Sequence, residues 1–261
     1  MLDISTVIIT LNAETYLRRV LESVSFTREI VVVDCGSTDN TLKICRQFGA
    51  RIFQRNWTGY GAQKNFGIEQ AQGPWILSLD ADEVLSEELT REIRALPEHP
   101  PYSGYRIPRV NHYFGRALHH GGQYPDLQLR LFLKEKGRFN QRPVHESVVV
   151  SGSIGRLSGE ILHYSYDSIE EYFNKFSRYT SLEAERLHSE GVKLSPAAAA
   201  WYMLFKPWFK FIWRYFFKLG FLDGVAGLLA AVFNSFTMVA SYAKYWEKYR
   251  KDSAYPQRSD R

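Results

Sequence analysis

The chain has 261 residues, 45% of them apolar, with 33 Lys and Arg against 28 Asp and Glu. Such a length and composition suit one large α/β domain, or a domain plus an appendage, and exclude wholesale disorder. Residues 196–261 carry ten basic and four acidic side chains, so the basic excess lies in the C-terminal quarter beside the densest aromatics. That pairing points to an anionic membrane surface rather than a nucleic acid.

Two cysteines, Cys35 and Cys45, make no disulfide framework and suit a reducing compartment. Ile4–Leu11 is apolar but short, without a basic leader, and reads as a buried strand rather than a signal peptide. Helical spacing follows at Tyr16, Leu17, Val20, Leu21 and Val24. Glu29–Asp34 is an apolar run ending in Asp, as in a central parallel strand. Ser37 is placed to cap a helix reaching Phe48, with Gly49 beyond it. Arg51–Gln54 predicts a third strand, Gly61–Gln72 a helix, Trp75–Leu79 a fourth strand and Ser86–Leu96 another helix. This alternation implies a parallel sheet that binds ligand outside the carboxyl ends of its strands.

Beyond Pro97–Pro101 the spacing predicts strands at Tyr105–Val110, Leu127–Leu133, Val144–Val150 and Ile161–Tyr164, a mixed or antiparallel extension. Ser168 and Glu171 form a capping box for a helix reaching about Glu190, and Gly191–Pro196 is a linker.

Four segments carry chemistry. In LSLDADE, residues 77–83, Asp80 and Asp82 stand two apart at a strand end. On a regular strand both face one side, where hard divalent cations find oxygen ligands. In VVVDCGSTDNT, residues 31–41, Asp34 ends a buried strand before a turn into a helix, a place for nucleotide recognition. Thr10 and Asn12, with Glu14 beyond, end the first strand in polar groups, and Lys64 beside Asn65 offers a charge to phosphate.

Taken in order, these segments resemble the family-2 glycosyltransferases with the GT-A fold, over residues 4–96. The resemblance implies a nucleotide-diphosphate sugar donor. Its binding set would be Thr10, Asn12, Glu14, Asp34, Lys64, Asn65 and Asp80, with Thr10 and Asn12 near the base and Asp80 near the ribose. Asp82 would hold Mg²⁺ or Mn²⁺ on the diphosphate. Many members carry a second Asp where this chain has Cys35, so a uridine donor does not follow from that position. RPVHESV, residues 142–148, resembles a segment of lipopolysaccharide-core glucosyltransferases. Inverting transfer needs a general base, and Glu146 is the candidate, with Asp126 and Glu83 as rivals. His163, and after it His145, could supply a late metal ligand.

In the C-terminal quarter, Lys206, Lys210, Arg214 and Lys218 recur every four residues among seven large apolar side chains. A helix there would drift only about 40° per step and carry a basic stripe suited to the headgroup boundary. Gly224–Ala243 holds no charge, and reads as a helix dipping into one leaflet or as a span.

The expected architecture is a GT-A catalytic domain over 1–190, a mostly parallel central sheet flanked by helices. Residues 1–96 form its nucleotide-sugar half and 97–190 its acceptor half. A helical membrane-associated segment over 196–249 and a polar tail over 250–261 follow. The expected activity is metal-dependent transfer of a sugar, glucose by the resemblance, to a lipid-linked glycan at the cytoplasmic membrane face. A polyprenyl phosphate acceptor and a non-catalytic membrane scaffold are the alternatives.

Overall fold

The computed structural model describes residues 2–140 and 147–254, in two compact units. The first comprises Met1–Asn111 and Pro125–Ser165. Four strands, β1 (Ile4–Thr10), β2 (Glu29–Asp34), β3 (Arg51–Gln54) and β4 (Trp75–Asp80), run parallel in the order β3-β2-β1-β4. Every residue of β1 is buried, which explains its unbroken apolar and β-branched run. Its polar members are satisfied: Ser5 Oγ donates to Glu29 Oε1 and Thr6 Oγ1 to Thr27 Oγ1.

Crossovers α1 (Glu14–Ser23), α2 (Thr41–Gln47) and α3 (Tyr60–Gln70) link these strands. In α1, Leu17, Val20 and Leu21 form the buried stripe. Gly67 lets α3 lie against β1, since a Cβ there would fall 2.5 Å from Val7 Cγ1. The predicted cap at Ser37 is not formed, and α2 starts at Thr41. The strand-end carboxylate of Asp34 takes both the Ser37 amide and its hydroxyl.

After β4 the sheet becomes mixed, mostly antiparallel. The next elements are β5 (Glu83–Leu85), α4 (Glu87–Ala95), β6 (Gly104–Tyr113), β7 (Arg116–Leu118) and β8 (Asp126–Leu133). Ser86 caps α4 by accepting from the Leu89 amide. β8 is antiparallel to both β4 and β6. β9 (Gly137–Phe139) and β10 (Val148–Val150) form a separate ribbon, and β11 (Ile154–Arg156) and β12 (Ile161–Tyr166) rejoin the main sheet. The order is β3-β2-β1-β4-β8-β6-β12-β5. The fold is GT-A, a mixed sheet flanked by helices, in which parallel pairing joins the first four strands and sets β11 beside β6. Of the strand expected over Val144–Val150, Val148–Val150 forms and Ser147 stays outside it; Val144, His145 and Glu146 lie outside the described residues.

The second unit comprises His112–Tyr124 and Tyr166–Arg261. Ser168 caps α5 (Ile169–Ser189), and Glu171 Oε2 reaches back to the Asp167 amide. Although 190 reads as a boundary in the sequence, α5 groups with the C-terminal helices. α6 (Pro196–Ala200), a π-helical turn at Trp201–Phe205, α7 (Lys206–Ile212), a second π-helical turn at Trp213–Phe217 and α8 (Gly224–Ala254) complete the unit. Aromatic stacking explains the grouping: Tyr172 lies on Phe233 at 4.6 Å and Phe176 on Phe236 at 5.6 Å. Lys244 Nζ donates to the Ser177 carbonyl at 2.6 Å.

Residues Gly220–Arg250 are long and apolar enough to cross a membrane, and 33% of their most apolar stretch is buried. The helix preceding them differs from its expected form. Lys206, Lys210 and Arg214 are half-buried, as are Phe211 and Tyr215, Lys218 lies past the helix end, and Trp208, Phe209, Trp213, Phe216 and Phe217 face outward. Trp208 is 59% and Phe217 69% exposed.

Candidate active site

Register brings the motifs together. Thr10 pairs with Asp34 across β1 and β2, and Ile9 pairs with Asp80 across β1 and β4. Three strands therefore end side by side in polar groups. Thr10 Oγ1 donates to Asp34 Oδ1 at 2.9 Å. Asp34 Oδ2 accepts from the amides of Gly36 and Ser37, both at 2.9 Å. Burial opposes the charged form of Asp34, but these donors outweigh it and hold its carboxyl below the ordinary range. Gly36, at φ +98°, makes the turn that points both amides back.

The loops after β1 and β2 are tied reciprocally. Asn12, in the left-handed region at φ 48°, accepts from the Thr38 amide at 2.8 Å. Glu14 Oε2 accepts from the amide and side chain of Asn40 at 2.9 and 2.8 Å, and the Glu14 amide donates to Asp39 Oδ2. Gln63, fully buried on α3, donates from Nε2 to Cys35 Sγ at 3.3 Å and to the Asn56 carbonyl at 2.8 Å.

Lys64 Nζ lies 2.8 Å from Asp80 Oδ1 and is almost wholly buried. Asn65 faces elsewhere: its side chain donates to the Phe139 carbonyl and accepts from the Phe139 amide, both at 2.9 Å, tying α3 to β9.

The two acids of Asp-Ala-Asp do not share one strand face. β4 ends at Asp80, and Asp82 falls in the turn before β5, because the chain reverses there. Arg130 on β8 donates from one guanidinium nitrogen to Asp80 at 2.8 Å and to Glu83 at 2.6 Å. Glu83, fully buried, also meets Arg109 at 2.9 Å and accepts from the Asp80 amide. Burial works against both carboxylates, yet Lys64 and Arg130 hold Asp80 ionised, and Arg130 and Arg109 hold Glu83 so. Arg109 further holds Asp126 at 2.7 Å.

Asp82 is instead turned to His163, Oδ2 to Nε2 at 3.6 Å. His163 Nδ1 lies 2.7 Å from Asn111 Oδ1 and 2.9 Å from Ser165 Oγ. With the proton on Nδ1 and donated to Asn111, the Nε2 lone pair faces Asp82. The backbone holds this facing, since Tyr164 donates its amide to the Asp82 carbonyl. A nitrogen and a carboxylate oxygen this close fit one cation of the Mn²⁺ or Mg²⁺ type, given oxygens from a ligand. Among the described residues no third His, Cys, Asp or Glu joins them. Glu146, the candidate base, lies outside the described residues.

Sequence reasoning missed Arg109, Arg130 and Asn111. The signal was available for Arg130: Asp126, Gln128 and Arg130 alternate with leucines on one strand, so three polar groups share a face.

The profile of Glycosyl transferase family 2 matches residues 5–162. The chain belongs to that family. An uncharacterized glycosyltransferase of Rickettsia typhi is 35% identical to this transferase over 255 residues, covering 92% of it and 86% of the relative. The lipopolysaccharide core biosynthesis glycosyltransferase LpsC of Rhizobium meliloti is 30% identical over 259 residues, covering 95% and 93%. The crystal structure of S. aureus TarS 1–349 resembles the transferase at a TM-score of 0.46 and 15% identity, covering 98% of this chain and 93% of that one.

Proposed function

We propose that this family-2 transferase moves a sugar from a nucleotide-diphosphate sugar to a lipid-linked glycan of the lipopolysaccharide-core type. The observation that carries this reading is the convergence of the ends of β1, β2 and β4, with Asp82 turned to His163 beside them. The likeness to LpsC over nearly both whole chains supports the acceptor class. The loops ending in Thr10, Asn12 and Glu14 bound the nucleoside side, and Asp80, braced by Lys64 and Arg130, offers a fixed anionic acceptor for ribose hydroxyls.

Asp82 and His163 would hold Mg²⁺ or Mn²⁺, which when bound neutralises charge on the diphosphate. The acceptor oxygen bonds to the anomeric carbon, the bond to the nucleoside diphosphate breaks, and the hydroxyl proton passes to a carboxylate base. Glu146 is proposed for that role. Glu83 is unsuited, because both its oxygens are engaged and it is sealed from solvent. Asp126 is partly open and is the described rival.

The exposed aromatic side chains of residues 201–217 support a peripheral or monotopic seat on the cytoplasmic face of the cell membrane, with α8 staying in one leaflet. The decisive assay supplies nucleotide-diphosphate sugars singly, UDP-glucose first, with Mn²⁺ and a truncated lipopolysaccharide core. The expected result is one added sugar in the mass of the glycan. Donor binding with no transfer to any lipid-linked glycan would overturn the acceptor assignment.

A further inference from the structure

The row Lys206, Lys210 and Arg214 recurs every four residues, yet it lies on the inner side of its helix. All three side chains are half-buried. The outer side belongs to Leu204, Phe205, Trp208, Phe209 and Trp213, each more than half exposed. An ordinary surface helix has the opposite arrangement, with apolar groups inside and charges in water.

Burying cations without partners is unfavourable, so their counter-charges matter. Among the described residues none of the three forms an ion pair. The element packed against α7 is α8, which has no Asp or Glu before Glu247. Asp223 is taken by His120, through both the ring and the backbone amide at 2.7 and 2.8 Å. Glu183, on α5, acts on Lys210 only weakly and binds Arg186. Lys206 rests over the Tyr202 ring at 4.5 Å. Burial pulls Lys210 down to about 8, with Arg214 and Lys206 adding to the effect. Burial also lowers Arg214, partly offset by Tyr113. The fold thus holds three positive charges in a half-covered row, and among the described residues no carboxylate forms an ion pair with them.

We propose that Lys210 and Arg214, with Lys206 beside them, form a binding site for the phosphate group of a membrane lipid. Guanidinium and ammonium donors match phosphate oxygens in charge and geometry. The exposed aromatic face a half-turn away suits the acyl boundary, so the lipid whose phosphate enters the row also covers the rings. The proposal rests on the membrane seat proposed above, and separate measurements distinguish the two.

The test uses the full chain, its K210Q/R214Q variant and, as an exposed-charge control, K218Q. Flotation is run with phosphatidylcholine vesicles, and with the same vesicles made equally anionic by phosphatidic acid or by a fatty acid. Wild type and K218Q should prefer phosphatidic acid over fatty acid. The double variant should lose about tenfold in binding to phosphatidic acid vesicles, as for charge-assisted phosphate contacts, while keeping its binding to phosphatidylcholine. Equal loss on both anionic vesicles would reduce the row to general surface charge and overturn the site.

Calorimetric titration with dihexanoyl phosphatidic acid and with inorganic phosphate gives an arm that needs no bilayer. Short-chain lipid binding that vanishes in K210Q/R214Q supports the site even if no vesicle is bound, in which case the membrane seat fails alone. Inorganic phosphate bound as tightly would identify a free-phosphate site, and binding of neither would refute the proposal. R214K should restore part of the loss. Removing unpaired charge should leave the variant as heat-stable as wild type, and a lower melting temperature would show that the row serves packing instead.

Discussion

Lys64 Nζ stands 2.8 Å from Asp80 Oδ1, with the lysine sealed under α3 and the carboxylate half-open at the end of β4. This residue, legible in the sequence as a phosphate contact, is committed to a carboxylate. Asp80 is shared with Arg130, so the acid lies between two cations.

Breaking that pair should destabilise the fold. Lys64→Met leaves Asp80 with Arg130 alone and should lower stability by about 3 kcal/mol, the scale for removing one partner of a buried ion pair. Urea unfolding of the variant measures it. A midpoint unchanged from wild type would show that Arg130 suffices.

Acid should weaken the transferase through Asp80 and Glu83. Both carboxyls sit below their ordinary range when folded, because Lys64, Arg109 and Arg130 outweigh burial. In the unfolded chain they return to values near 4, so that state binds more protons there. Stability is then full above about pH 5 and declines as pH falls towards the folded values. Unfolding midpoints measured from neutral pH downwards should slope in wild type and flatten in Asp80→Asn. A variant with the wild-type slope would assign the acid sensitivity elsewhere.

Asn111 should matter to metal without touching it. Its carbonyl oxygen orients His163, and partners of that kind typically contribute about 10–100-fold in metal affinity. Asn111→Ala should weaken Mn²⁺-dependent binding of a nucleoside diphosphate on that scale, and Asp82→Ala should abolish the metal dependence. Calorimetry with and without Mn²⁺ separates the two. Unaltered affinity in Asp82→Ala would remove the metal assignment.

The base is decided by a pair of variants. Glu146→Gln should reduce transfer by about 10²–10⁴-fold with donor affinity preserved. Asp126→Asn breaks the contact with Arg109 as well, so a loss there must be checked against stability. If Glu146→Gln keeps its turnover and Asp126→Asn, still folded, does not, the role passes to Asp126.

The donor half was legible because parallel strands carry their chemistry at their ends. Thr10, Asp34 and Asp80 each close an apolar run, and pairing register does the rest. Asp82 and His163 were each legible singly, but their facing depends on the antiparallel pairing of β5 with β12, which sets His163 opposite Glu83. No local pattern encodes that distant pairing. The basic stripe was legible as a period, but its inward direction was not. Periodicity tells which residues share a face, and only the apolar groups on the other side and the helices behind tell where that face looks.

The π-helical turn at Trp201–Phe205 sets how well α7 tolerates a change of length. Such a turn carries one residue more than an α-helical turn. Within it, Tyr202 is fixed by stacking on Tyr242 at 5.2 Å. Deleting the exposed Met203 would restore ordinary helical phase and rotate everything beyond it by about 100°. Lys206 and Lys210 would swing out of their seam, and bulky rings would be driven towards α8. A stretch that reads as forgiving exposed surface is therefore permissive to exchange of side chains but intolerant of a lost residue.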